Sequence, residues 1–347
     1  MGIISSKKEK KTVFSVIMPC YNSEKYVREA LDSITGQTYP HWELIAVNDG
    51  SRDSTPEILK EYAQKDHRIK VLSKENGGYV SAVNMGLENI TGDYFLMMGS
   101  DDALAKDLFF ELYRCMAKGA PDCIAFRSIC VQDGKMLGVE RVTDFPDAAS
   151  AFDTTLAAFS QMYPKHADIL FTRDTSKCYK RSLLGDLRYF GKYGYDADGI
   201  FSMLLCHNAS SFAAIPVDGY YWTLRRDSLS GRRTFPEQDR DRIRNWTLFY
   251  QQLLKMETEH IAQVEREYLH YFLGNVSRAW RSSSPFLAGY RIVRDAVYHI
   301  HKIQEKTHYD MDLSAEHRLL LQAPIVWKLY ICFTGQIRER LETRQKN

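Results

Sequence analysis

Asp93-Tyr-Phe-Leu-Met-Met-Gly-Ser-Asp-Asp-Ala-Leu104 is the stretch that decides how the chain folds. Tyr94 to Met98 is an apolar run too short for a helix. It predicts a buried strand, of the kind covered on both faces in a parallel sheet. The run breaks at Gly99, Ser100, Asp101 and Asp102, which places two carboxylates at a strand's carboxyl end. In open α/β sheets that end is where ligands bind. Adjacent carboxylates in a water-accessible turn form half of a hard-cation site for Mg²⁺ or Mn²⁺. A cation with so few protein ligands completes its octahedron with phosphate oxygens. Locally, capping of the next helix explains an Asp here equally well.

Upstream, the same alternation repeats. Phe14-Ser-Val-Ile-Met18 predicts a strand stopped by Pro19-Cys-Tyr-Asn22, and Tyr26, Val27, Ala30, Leu31 and Ile34 then recur at helical spacing. Trp42 to Val47 is a second strand, closed by Asn48-Asp-Gly-Ser51. Ser54-Thr-Pro-Glu57 has the form of a capping box with Pro in the first turn, opening a helix through Ile58, Leu59, Tyr62 and Ala63. Ile69 to Leu72 predicts a third strand and leads through Asn76-Gly77-Gly78 into a helix over 79–90, with Val80, Val83, Leu87 and Ile90 on one side. Strands alternating with helices across short loops require a parallel sheet whose polar punctuation gathers along one edge. Asp49, Asn76 and Asp101 are therefore expected to converge.

Val16-Ile-Met-Pro-Cys-Tyr-Asn22, Val47-Asn-Asp-Gly-Ser-Arg-Asp-Ser54, Glu75-Asn-Gly-Gly78 and Gly99-Ser-Asp-Asp102 follow one another as in the family 2 glycosyltransferases, which the chain resembles over most of residues 12–127. The resemblance implies an α/β GT-A fold: a Rossmann-like, mostly parallel sheet flanked by helices. It implies inverting sugar transfer from a UDP-sugar. It further implies that Pro19 and Tyr21 line the nucleoside pocket, that Asp49 meets the uracil edge, and that Asp101 is the metal-binding acid of the DXD element. Asn22, Asn76, Gly77, Ser100 and Arg225 join these as contacts to the nucleotide-sugar, and Asp102 joins Asp101 at the Mn²⁺ or Mg²⁺. The chain departs from the family at Gly99, where the first acid of the element usually stands.

The residues support parts of this on their own chemistry. An ionised Asp49 only accepts hydrogen bonds, which suits an imide N–H such as that of uracil; alone it also suits an Asx turn. Asn76, before two glycines, equally suits a helix-entry turn. Asn84 is either a buried hydrogen-bonding residue near the site or a solvent-facing one. Further on, Cys123 to Arg127 predicts a strand, and Asp133-Gly134 a hairpin joining 129–132 to 136–139. A helix is expected over 147–162, and Ser176 to Leu184 reads as a short strand running into a helix. In Tyr195-Asp-Ala-Asp-Gly-Ile-Phe201, Phe201, Leu204 and Leu205 predict a helix with Asp198 at its amino end, where the dipole favours a carboxylate. The family reads Glu-Asp-x-x-Phe here, which implies that Asp198 is the catalytic base, with Asp196 in reserve and Ala197 replacing the Glu. An N-cap is the local alternative. Arg225 or Arg226, after Tyr220-Tyr-Trp222, could clamp a diphosphate in bidentate fashion or pair with a surface carboxylate. Tyr220, Tyr221 and Trp222 suit sugar stacking or core.

With 347 residues, 44% of them apolar, 26% charged, and a net charge of +2, the chain has ample core and no basic excess calling for nucleic acid. No run of 18 apolar residues exists, and the first residues lack a secretory core, so a cytoplasmic protein is expected. Seven cysteines without a Cys-x-x-Cys pair read as scattered thiols. The expected organisation is a leader over 1–11, a GT-A domain over 12–235 with nucleotide-binding (12–127) and acceptor (128–235) halves, and a helical region over 236–347. The last offers a peripheral membrane or self-association face, or packs on the catalytic domain. The acceptor, whether glycan, lipid-linked or glycoprotein, is not encoded in spacing. A nucleotidyltransferase is disfavoured because Pro19-Cys-Tyr-Asn22 is neither Gly-rich nor basic.

Overall fold

The computed structural model describes residues 11–132, 135–139, 150–152, 174–190 and 197–225, with single helical positions at 245, 248, 294, 297, 298, 301 and 305. β1 (Phe14–Cys20), α1 (Val27–Thr35), β2 (Trp42–Asp49), α2 (Thr55–Lys65), β3 (Ile69–Lys74), α3 (Tyr79–Leu87) and β4 (Tyr94–Met97) alternate strand and helix as expected. β1 lies parallel between β2 and β4, and β3 runs parallel beyond β2. Cys20 stands opposite Asn48 and Asn48 opposite Ser73, so β1, β2 and β3 end nearly level; β4 stops at Met97, opposite Ile17 and short of the end of β1, and the loops leave the sheet along one edge.

Packing explains why the apolar runs become strands. Apart from Pro19, every residue of β1 is buried. α1 covers the sheet with Val27, Ala30, Leu31 and Ile34, one turn apart along a single stripe. α3 comes close enough that a Cβ on Gly86 would lie 2.5 Å from Ile17 Cγ2. Phe14 stacks on Phe109 (centroids 5.3 Å apart) and meets Tyr39 edge-on at 5.6 Å, anchoring the core beneath the strand starts.

Beyond β4 the chain adds β5 (Ala103–Leu104), α4 (Leu108–Met116), β6 (Cys123–Gln132), β7 (Lys135–Val139), β8 (Ser150–Phe152), β9 (Lys177–Lys180), a 3₁₀ turn (Arg181–Leu183), α5 (Ala197–Asn208) and β10 (Phe212–Thr223). β9 inserts antiparallel between β4 and β6, while β10 lies parallel to β6 and antiparallel to β5. Among the described residues the sheet has ten strands in the order β3-β2-β1-β4-β9-β6-β10-β5, with β7 on β6 and β8 on β10. Its first four strands form an all-parallel block, and beyond it β6 and β10 pair in parallel. β10 is irregular: it advances from Ala214 to Tyr220 while β6 advances only from Ala125 to Ser128. Arg127 braces this bulge, donating to Pro216 O at 2.9 Å and standing 2.6 Å from Asp218 Oδ1 in an ion pair too bent to be a hydrogen bond.

Three local expectations are corrected. The capping box at Ser54 does not form; the Thr55 N–H is capped instead by Asp53 Oδ1 at 3.0 Å, whose other oxygen accepts from Glu24 N–H. α3 ends at Leu87, short of Ile90, although Ile90 is buried as predicted. The two short strands expected around Arg127 are the single β6. The chain divides into two compact units, residues 1–194 with 198–232, and 195–197 with 233–347. Asp133-Gly134, the helix expected over 147–162, Asp196, Arg226 and nearly all of the leader lie outside the described residues, as does most of 236–347, whose described positions are helical. Among the described residues no helix is long and apolar enough to cross a membrane.

Candidate functional site

The loops after β1, β2 and β4 are stitched together by short polar side chains. Asn22 holds a left-handed φ of +49°, which Asn tolerates better than most residues. Its N–H donates to Ser51 Oγ at 3.1 Å and its Oδ1 accepts from Arg52 N–H at 2.8 Å. Ser23 N–H donates to Thr55 Oγ1 at 2.7 Å, and its hydroxyl shares a buried 2.7 Å hydrogen bond with that of Ser100. Pro19 is half-buried at the end of β1, and the Tyr21 ring is left 50% exposed beside it.

Asp49 organises the loop after β3. Its Oδ1 accepts from Lys74 Nζ (2.8 Å) and Gly77 N–H (2.9 Å), its Oδ2 from Gly78 N–H (2.8 Å), and its backbone carbonyl from Asn76 Nδ2 (3.0 Å). A carboxylate has about four acceptor positions, so roughly one, on Oδ2, remains for a ligand N–H. The approach is tight: Gly50 sits at φ +69°, and a Cβ there would lie 2.7 Å from Asn76 N.

Asp101 and Asp102 face different partners. Asp102 is buried, with Oδ2 accepting from the Tyr220 hydroxyl (2.5 Å) and Oδ1 from Thr223 N–H (2.8 Å); that hydroxyl in turn accepts from Gly99 N–H (3.0 Å). Burial, then the Asp101 charge, push the Asp102 carboxyl up to about 7. Asp101 Oδ2 accepts from Arg225 Nε (2.8 Å) and lies 2.6 Å from Arg225 Nη2, and the guanidinium covers the Tyr26 ring at 4.4 Å. A Cβ on Gly99 would stand 2.5 Å from Asp102 Oδ2 and 2.9 Å from Asp101 Oδ1. The two carboxylates thus crowd the space that a side chain at Gly99 would need. As a cation site this offers chiefly Asp101 Oδ1, because Asp102 is buried and each of its oxygens already accepts a hydrogen bond. Among the described residues no three His, Cys, Asp or Glu side chains are placed so that they could hold a metal ion together. A hard oxygen donor of this kind fits Mg²⁺ or Mn²⁺ once ligand oxygens supply the remaining positions.

Asp198 lies in the first turn of α5 and is half-buried. It shares a neighbourhood with the β4 turn through Tyr79, whose hydroxyl is pushed up by burial and then by Asp174, Asp198, Tyr220 and Asp102. Asn84 settles its open alternatives. Its amide donates to Tyr189 O and accepts from Tyr189 N–H, both at 2.8 Å, and the Tyr189 ring packs on Phe201 (4.3 Å) and edge-on to Tyr79 (6.1 Å).

Asn22, Asp49, Asn76, Gly77, Ser100, Asp101, Asp102 and Arg225 are therefore brought to one edge by the loops after β1, β3 and β4 and the ends of β2 and β10. In the sequence Tyr26 shows only as part of a helical stripe and Tyr79 only as a helix start, while Asp174 and the hydroxyl of Tyr220 go unnoticed. Tyr220 had been read only as an aromatic for stacking or core, and its bond to Asp102 spans 118 residues.

Residues 15–186 match the family described as Glycosyl transferase family 2. Glycosyltransferase GlyA of Streptococcus pneumoniae is 31% identical over 219 residues; the match covers 62% of this chain and 31% of GlyA, so the chain spans under a third of that relative. The crystal structure of S. aureus TarS 1-349 is similar with a TM-score of 0.68 at 21% identity, covering 91% of this chain and 87% of that one. The same segment in complex with UDP-GlcNAc gives 0.62, over 87% and 94%. Mannosyltransferase PcManGT from Pyrobaculum calidifontis, in complex with GDP-Man and Mn²⁺, is similar at 0.51 and 16% identity, over 93% and 87%. These likenesses show the fold, mixed α/β of GT-A type.

Proposed function

We propose that the protein, whose residues 15–186 match glycosyl transferase family 2, transfers a sugar from a UDP-sugar to an acceptor hydroxyl. The acceptor is a glycan, a lipid-linked intermediate or a glycoprotein, transfer proceeds with inversion, and a divalent cation, Mn²⁺ or Mg²⁺, assists. What carries this is the convergence at the carboxyl edge. Asp49 keeps one acceptor position open, Asp101 keeps Oδ1 open, and Asp198 sits at a helix amino end, its charge, like that of Asp102, reaching the Tyr79 hydroxyl. TarS, of like fold, has been captured with UDP-GlcNAc, which favours a uridine donor.

In this proposal the free Oδ2 position of Asp49 takes the uracil imide N–H, with Pro19 and Tyr21 flanking the base. Asp101 Oδ1 would hold the cation together with diphosphate oxygens. Bound there, the cation would neutralise the leaving group, a Lewis-acid effect worth several kcal/mol. Arg225, paired with Asp101, brings its guanidinium to the diphosphate. Asp198 takes the proton of the acceptor hydroxyl as it attacks from the face opposite the leaving group.

A non-catalytic nucleotide-sugar-binding module is the alternative, favoured by one observation, the capture of Asp101 by Arg225. Incubation with Mn²⁺ and a panel of UDP-sugars separates the two. Slow UDP release from at least one donor, lost in Asp198→Asn, supports the transferase; UDP binding without release from any donor supports the module.

A further inference from the structure

Asp174 takes no part in the chemistry above. It lies just ahead of β9, is 0% exposed, and neither of its carboxyl oxygens has a hydrogen-bond partner. A carboxylate ionised in such surroundings is costly, so a carboxyl left there without donors holds its proton. The groups around it come from three elements. Lys177, the first residue of β9, is also fully buried and faces Asp174, Asp198, Cys206 of α5 and Cys123 of β6. α5 packs on β9 through the 2.9 Å bond from the Tyr179 hydroxyl to Ser202 Oγ, which brings Asp198, one turn before Ser202, to the side of β9 that Lys177 shares; the Asp198 charge acts on Asp174, and both acids act on Tyr79 of α3.

We propose that Asp174 is a positioning residue for Asp198: a proton-bearing carboxyl group locked in the core that, with Lys177, leaves Asp198 as the ionised acid of the acceptor side. This rests on Asp198 being the base. Two carboxyls at close quarters do not ionise together, and their surroundings decide which one does. Asp198 is half-exposed at a helix amino end, where a negative charge is welcome. Asp174 is dry. Burial, and then the Asp198 charge, push the Asp174 carboxyl up to about 8, while burial draws Lys177 down. As pH rises past that value, Asp174 loses its proton, and a second negative charge stands beside the base in a site built for an anionic donor. Transfer then falls.

Thermal melting of the full chain and of Asp174→Asn across about pH 5 to 9 tests this without reference to activity. In the unfolded chain Asp174 ionises in the ordinary carboxylate range, whereas folded it keeps its proton to about pH 8. Its contribution to stability is therefore fullest in acid and is lost as pH rises through about 8. Wild type should melt progressively lower than Asp174→Asn over that window, the gap levelling off above it. In an Asp198→Asn background the levelling point should move to lower pH. A gap that is the same at every pH, or a levelling point that Asp198→Asn does not move, overturns the proposal. If Asp174→Asn does not fold, the infrared stretch of the protonated carboxyl in wild type and Asp198→Asn reports the same titration, and its absence at pH 6 is equally fatal. With an active donor, the alkaline fall in kcat/KM should disappear in Asp174→Asn; a merely structural Asp174 would lower the profile uniformly. If no donor is turned over, the transferase assignment fails, while the melting and infrared arms still decide the carboxyl pair.

Discussion

Between β1 and β3, Asp49 is 3% exposed and accepts from Lys74, Gly77 and Gly78; ahead of β9, Asp174 is 0% exposed and accepts from no donor. The same burial has opposite outcomes. On the nucleotide side the loss of water is offset by backbone N–H groups and an ammonium, so the acid becomes a fixed acceptor. On the proposed acceptor side no hydrogen-bond donor offsets it, so the acid becomes a group that titrates. On the proposed function, holding a ligand and moving a proton fall to different parts of the molecule, and each can be disturbed alone.

The largest effect is expected at Asp198. Asp198→Asn should lower transfer by roughly 10² to 10⁴-fold while leaving UDP affinity within about twofold, measured by UDP release and by calorimetric titration. If UDP affinity collapses too, the division between the two sides is wrong. Next comes Asp49→Ala, which strips three donors of their acceptor. UDP should bind about 10- to 100-fold more weakly, in line with roughly 1.5–3 kcal/mol for a charged acceptor lost from a buried site. Tyr220→Phe removes the link from Gly99 N–H to Asp102 Oδ2 and should cost about 1–2 kcal/mol in urea denaturation, with a smaller loss of transfer. Gly50→Ala sharpens the nucleotide side: at φ +69° it should cost about 1–2 kcal/mol by the same measurement, with UDP affinity falling because Asn76 is displaced. Smallest is the melting gap of Asp174→Asn near pH 5, which should widen toward pH 8.

The nucleotide side was largely legible from residue order alone. Apolar runs such as Phe14 to Met18 are too short for helices, and each ends in residues that turn a chain, so strand ends and their polar loops could be placed together before any coordinates. Less could be read wherever partners are distant. Ser54 has the form of a cap, yet Asp53, one residue earlier, reaches the helix amino end because Glu24 N–H holds its other oxygen. Gly99 looked like a missing acid and is a space filled by its neighbours' carboxylates. Asp174 carries no local signal at all, because burial by tertiary packing has no periodicity of its own.

The extra residues in β10 have a consequence for length variation. Side chains along a strand alternate faces, so the bulge braced by Arg127 sets whether Tyr220 or its neighbour meets Asp102. Deleting one residue between Ala214 and Asp218 would move Tyr220 into the place of Gly219, where even a Cβ would lie 2.6 Å from Phe126 and 2.7 Å from Leu108. A lost codon far from every acid would thus unlatch the Gly99–Asp102 turn, whereas insertions in the loops at the other end of the sheet would leave it shut.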